Sequence, residues 1–167
     1  MHYMSNPDDL ALDPQALPAA PEDPAEQLQW LVDRAMISEI LTRLLTRIDS
    51  RDYRGVAELF TDDGVVVLPF ASYPVDELPE ISEQLFAPFE ATHHMIGNVA
   101  ITIDRDRAHS RQYLLASHIP RRDEPALHAD VGGWYDYEYR RTAAGWRITR
   151  YALTFVYTDG IPFEPHV

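Results

Sequence analysis

Residues 131–157 read VGGWYDYEYRRTAAGWRITRYALTFVY, two runs of aromatic and β-branched residues separated by Ala143, Ala144 and Gly145. Runs of this kind joined by a small-residue turn predict paired strands, Val131 to Arg141 and Trp146 to Tyr157. The segment before them has the same character. Met95 to Ile103 and Ala108 to Ile119 read as strands joined at Asp104-Arg105-Asp106, and a loop containing Pro125 separates Ile119 from Val131. Four long strands in succession predict a meander.

The first half of the chain has a different period. Leu28, Leu31, Val32, Ala35, Met36, Ile40, Leu41, Leu44, Leu45 and Ile48 recur every three or four residues, the stripe of an amphipathic helix with one face in the core. Its start is written in Asp23 as N-cap, Pro24 at the first helical position and Glu26 as an approximate capping box. Ser50 and Asp52 offer caps for a second helix, Tyr53 to Phe60, and Asp62-Asp63-Gly64 predicts a turn into a strand at Val65 to Leu68. A proline-punctuated segment follows, in which Glu80 to Phe89 can hold one more helix. Helices first and strands afterward predict the α+β class. Residues 23–160 form one domain on this reading, between a flexible arm at 1–22, rich in Pro, Asp and Ala, and a tail at 161–167.

Of the 167 residues, 27 are acidic and 14 basic, a formal net charge of −13. Such a field repels phosphate backbones and anionic lipid, so neither nucleic acid nor a membrane is expected as a partner. No stretch of about 18 apolar residues or secretory leader is evident, and a cytoplasmic location is the default expectation. The chain has no cysteine, which removes thiolate chemistry and disulfides. No Gly-x-Ser-x-Gly elbow or phosphate-cradling glycine loop occurs.

Three side chains invite a chemical reading. Asp49 follows Ile48 and prolongs the apolar stripe, so its carboxylate either caps the next helix or needs a partner inside. In Thr92-His93-His94-Met95-Ile96-Gly97-Asn98 the two imidazoles point to opposite faces of a strand, and only one can enter a given cavity. His118 shares its parity with Gln112, Leu114 and Ala116, a largely neutral face, whereas His109 shares that of Arg111; His118 is therefore expected inside. Two histidines and a carboxylate could also form a facial metal triad, but neither His94 nor His118 begins a His-x-Asp/Glu pair, and no metal is expected.

The stripe ending in Ile48-Asp49-Ser50-Arg51-Asp52, the turn Leu59-Phe60-Thr61-Asp62-Asp63, the Thr92 to Asn98 motif, and Gly132 to Tyr139 followed by Gly145-Trp146-Arg147-Ile148 together resemble the SnoaL-like family. That family belongs to the nuclear-transport-factor-two-like superfamily of cone-shaped α+β barrels and includes scytalone dehydratase and lindane dehydrochlorinase. The resemblance covers about residues 26–157. It implies helices packed on a strongly curved, mostly antiparallel sheet, no cofactor, and a homo-oligomer, trimer or dimer. Asp49 and His94 match an aspartate–histidine pair that both enzymes use, and His118 is similar in placement to a second histidine of the dehydratase. Arg141 falls where the dehydrochlorinase has an arginine that helps the leaving group. Ile48 and Leu44 stand where the two enzymes carry a tyrosine and a lysine.

The chemistry so implied is proton transfer. A neutral imidazole whose other nitrogen is held by a carboxylate is a general base, and Asp49 would orient His94 in that role. His118 would donate to a departing hydroxyl or a developing oxyanion. Tyr135, Tyr137, Arg141 and Asn98 are expected to contact a small cyclic, largely apolar molecule. The expected activity is a dehydratase-like lyase, with an isomerase or cyclase of a polyketide or steroid-like compound, or a non-catalytic subunit of the same fold, as alternatives.

Overall fold

A computed structural model describes residues 20–160. All but the last three residues of the expected arm, and the whole expected tail, lie outside the described residues. Helix α1 spans Pro24–Asp49. Asp23 caps it, its carboxylate accepting from the backbone N–H of Ala25 at 2.9 Å and of Glu26 at 3.1 Å, with Pro24 in the first turn where it loses no hydrogen bond. At the other end Arg51 N donates to Ile48 O at 3.0 Å and Asp52 N to Arg47 O at 2.9 Å, the paired bonds of a Schellman stop. The left-handed position of that stop is Arg51, φ 64°, where a side chain costs about 1–2 kcal/mol relative to the right-handed region. Its guanidinium gains something in return, since it donates to the carbonyls of Phe86 and Phe89.

Helix α2 is Tyr53–Ala57, shorter than the expected Tyr53 to Phe60, because strand β1 already begins at Phe60 and runs to Val67. Strand β6, Gly145–Asp159, takes it there: Ile148 N donates to Leu59 O at 3.0 Å. The expected turn at Asp62-Asp63-Gly64 is instead an irregularity inside β1, where the register with β6 shifts between Phe60 and Val65. A β-carbon at Gly64 would lie 2.9 Å from Thr61 O and 3.1 Å from the Phe60 ring, so the chain folds on itself there only without a side chain. A short strand β2, Ser72–Pro74, pairs antiparallel with β1, and a single 3₁₀ turn leads into helix α3, Leu78–Phe86. Helix α3 starts and stops before the expected Glu80 to Phe89. Pro79 suits its first turn; Ala87 still has helical dihedrals, φ −53° and ψ −37°, and Pro88, with no N–H to donate, ends the helix.

The expected meander is β3 Ala91–Asp104, β4 Arg107–Ile119, β5 Ala129–Thr142 and β6. The six strands lie in the order β2-β1-β6-β5-β4-β3, antiparallel except where β1 runs parallel to β6. The chain is thus an α+β barrel of the expected kind, the helices packed on a curved, mostly antiparallel sheet. Bulges bend the sheet in β3 between Gly97 and Ala100 and in β5 at Gly132/Gly133. At Gly133 a β-carbon would sit 2.0 Å from the carbonyl oxygen of Thr154. Glycine there permits the close approach of β6.

The core fills the concave side: Ile37, Leu41 and Leu44 of α1 meet Val66, Leu114, Val131 and Ile148 of the sheet. The apolar stripe of α1 holds only in its second half. Leu28, Leu31, Val32 and Met36 are exposed, and the buried position of the first half is Asp33. Asp33 turns inward because the far end of the sheet supplies donors. Arg141 gives it a two-pronged pair at 2.8 and 2.6 Å, Trp146 Nε1 donates at 2.9 Å and Gln29 at 3.1 Å. Among the described residues no helix is long and apolar enough to cross a membrane.

Candidate active site

Asp49 is the last residue of α1, an electrostatically poor place for a carboxylate, since unpaired carbonyls put partial negative charge there. Strand β3 compensates it. Thr92 Oγ1 donates to Oδ1 at 2.9 Å, His94 N to Oδ2 at 3.0 Å, and His94 Nδ1 lies 2.7 Å from Oδ1. Burial pushes the Asp49 carboxyl upward, but the His94 ring, the His94 backbone and Thr92 outweigh it and hold the group below its ordinary value. It is therefore an anion, and an anion only accepts. The shared proton sits on His94 Nδ1, so in the neutral imidazole Nε2 carries the lone pair.

Only 4% of the His94 side chain and 25% of the Asp49 side chain are exposed. His118 comes from the neighbouring strand β4, in register with Thr92, and is 3% exposed. The two imidazoles meet edge to face with ring centroids 5.5 Å apart. His118 Nδ1 lies 3.2 Å from the carbonyl of Ala129; a carbonyl cannot donate, so this nitrogen carries the hydrogen. Burial, assisted by the nearby His94, pushes its pKa down to about 4. Phe86 of α3 stacks on His118 at 5.8 Å and 6° and meets His94 edge-on at 6.0 Å, closing the site from above.

A cavity opens beside this pair, about 800 Å³ counting its open mouth. Aliphatic and aromatic side chains from α1, α3 and the sheet dominate its wall, among them Leu44, Ile48, Leu114 and Phe155. Among the described residues five lining side chains carry hydrogen-bonding groups: Ser82, His94, His118, Tyr135 and Tyr151. Asp49, His94, His118 and Tyr135 are thus brought together. Tyr137, Arg141 and Asn98 are not. Tyr137 is buried behind the wall, stacked on Tyr151 at 5.1 Å. Arg141 is spent on Asp33 and Asp106, and Asn98 sits exposed at the β3 bulge with φ 50°. These three correct the sequence expectation for a physical reason. Strand parity fixes which way a side chain points, but not how deep the cavity reaches or where a bulge breaks the alternation.

Thr92, Tyr151 and Phe86 belong to the site without having been picked out as site residues. Thr92 shares the parity of His94 and could have been found from it. Tyr151 lies in a strand of many inward aromatics, and nothing local sets it apart. Phe86 is placed by the packing of α3 alone.

Residues 29–152 match the SnoaL-like domain family. A relative in Mycobacterium tuberculosis, an uncharacterised protein, is 29% identical over 121 residues, 71% of this chain and 82% of its own. Among solved structures, a Novosphingobium aromaticivorans protein carrying the provisional name scytalone dehydratase is 21% identical. It has a TM-score of 0.71 and covers 79% of this chain and 89% of its own. A type 2 hexachlorocyclohexane dehydrochlorinase is 18% identical with a TM-score of 0.71, covering 81% and 93%. At these identities the two structures share the fold with this chain.

Proposed function

Because this chain belongs to the SnoaL-like domain family, we propose that it is a cofactor-independent lyase, a dehydratase acting on a small, neutral, ring-containing molecule, with His94 as the base and Asp49 as its orienting partner. The observation that carries this reading is the 2.7 Å contact between Asp49 Oδ1 and His94 Nδ1 at the wall of an apolar cavity. The carboxylate fixes the tautomer with its lone pair on Nε2 and stabilises the imidazolium that forms when a proton arrives. A base of this kind typically contributes about 10² to 10⁴ in rate, enough for a C–H made acidic by a neighbouring carbonyl. The C–H electron pair moves into the carbonyl system, the hydroxyl on the next carbon leaves, and the proton held by His94 goes to it as water.

Neutrality of the substrate follows from the wall, which has no arginine among its lining residues, in a chain without lysine. An anion would enter an apolar cavity unpaired, at a cost of several kcal/mol. A homo-oligomer, trimer or dimer, would cover the exposed apolar side chains Met95, Tyr113, Leu115 and Tyr157 on the outer face of the sheet.

The test is a panel of cyclic β-hydroxyketones. Wild-type protein should produce the conjugated enone, seen by its ultraviolet absorbance, and His94→Ala should lower the rate at least about a hundredfold with the fold intact by circular dichroism. Near-normal turnover in that variant removes His94 from the role. Exchange of the α-hydrogen with deuterated water without loss of the hydroxyl would identify an isomerase instead.

A further inference from the structure

Polar groups are unevenly shared between the walls of the cavity. His94, His118, Tyr135 and Tyr151 come from the strands β3, β4, β5 and β6. Among the described residues Ser82 alone brings a hydrogen-bonding side chain to the cavity from a helix, α3. The helices pack on the concave side of the sheet, so the serine meets a ligand from the side opposite the strands.

Packing alone would fill position 82 with an aliphatic side chain. Helix α3 turns Leu78, Ile81, Leu85 and Phe86 toward the cavity, and Ser82 stands in the middle of that stripe, 6% exposed. Its hydroxyl has no hydrogen-bond partner among the described residues. Serine is also a poorer helix former than alanine, because its hydroxyl competes for the backbone. A hydroxyl that weakens both the helix and the apolar wall finds its match in a ligand. Ser82 precedes Phe86 by one turn on the same helix face, about 5–6 Å. Phe86 in turn lies 6.0 Å from His94 and 5.8 Å from His118, ring centre to ring centre. A ring compound with one edge against His94 can therefore present its far edge to Ser82. The group on that edge is uncharged: Asp76, Glu77, Glu80 and Glu83 are exposed on α3 and the turn before it, and no basic residue stands between Pro69 and Glu90. An anionic substituent would meet this field without a counter-ion, whereas a hydroxyl both donates to serine and accepts from it.

We propose that Ser82 is the specificity-determining residue of this cavity, selecting ring compounds that carry a second, neutral hydroxyl on the edge facing α3, away from the edge held against His94. The inference rests on the proton-transfer reading above for which edge faces His94, and it narrows the substrate class to ring ketones with a remote hydroxyl. Discrimination of this kind is a difference of affinities. A ligand with the hydroxyl satisfies Ser82, and a ligand without it leaves the serine unmatched in an apolar wall.

Binding without turnover separates this claim from the lyase reading. Calorimetric titration of full-length protein compares 1-tetralone with its 5-, 6- and 7-hydroxy isomers, at a pH where the phenols are un-ionised. At least one isomer should bind wild type roughly five- to tenfold more tightly than 1-tetralone, the worth of one hydrogen bond. Ser82→Ala should erase that preference while 1-tetralone binds wild type and variant alike. Its melting temperature should not fall, because alanine is the better helix former. If no isomer exceeds 1-tetralone, or if Ser82→Ala keeps the preference, the assignment is overturned. A preference that Ser82→Ala abolishes, in a protein that forms no enone from any β-hydroxyketone, leaves Ser82 standing and removes the lyase.

Discussion

Nε1 of Trp146 lies 2.9 Å from Oδ1 of Asp33, across 113 residues of chain. This bond and the Arg141 pair beside it fasten α1 to the last two strands, at a distance from the cavity wall. Asp33→Ala leaves the buried Trp146 indole N–H without its acceptor and the Arg141 guanidinium with Asp106 alone, and should destabilise the protein by about 1–3 kcal/mol. Chemical denaturation measures the loss, and turnover per folded molecule should be unchanged. An equal loss in Arg141→Ala together with impaired chemistry would return Arg141 to the site.

Asp49→Asn keeps only one of the two oxygens that accept from Thr92, the His94 backbone and the His94 ring, and it removes the charge that stabilises the imidazolium. Turnover should fall about a hundredfold or more, while the melting temperature changes much less. The kcat of the variant in the β-hydroxyketone assay, set beside its thermal unfolding, decides it.

His118 links stability to pH. Its folded pKa of about 4 lies below the ordinary value of 6.5, so between these two values the unfolded chain binds more protons than the folded one. The corresponding stability is whole above pH 6.5 and falls as pH drops toward 4, by about 3 kcal/mol in total. Asp49, also depressed, contributes stability present above its unfolded value of 3.8 and lost only as pH falls further, so the two windows separate. Urea unfolding from pH 7 to pH 4 should show the decline, and His118→Gln should flatten it.

Gln112 is fully buried on β4, and neither its amide oxygen nor its nitrogen has a hydrogen-bond partner among the described residues. An unmatched buried amide costs about 1–3 kcal/mol. Gln112→Met, close in volume and without the amide, should therefore raise the melting temperature by several degrees. A marked decrease would mean that the amide is satisfied in solution.

The elements themselves were legible. Asp23-Pro24, the three-and-four spacing up to Ile48 and the aromatic runs after Met95 are local signals, and each produced the expected element. Errors gathered where a distant strand decided the outcome. Phe60 joins β1 because Ile148 reaches Leu59, and Gly64 is part of a strand irregularity because β6 lies alongside. Asp33 interrupts an apolar stripe because donors 108 and 113 residues away meet it inside.

By itself the sequence determined the order and kind of elements, the opposite facing of His93 and His94 on one strand, and the exclusion of cysteine and lysine chemistry. Periodicity and composition are properties of neighbours along the chain. Only the tertiary structure decided that Asp49 accepts from His94 and Thr92, that Arg141 belongs to Asp33, and that Tyr135 and Tyr151 share one wall of the cavity. Hydrogen bonds and cavity depth depend on distances between strands, and a one-dimensional pattern carries no information about those.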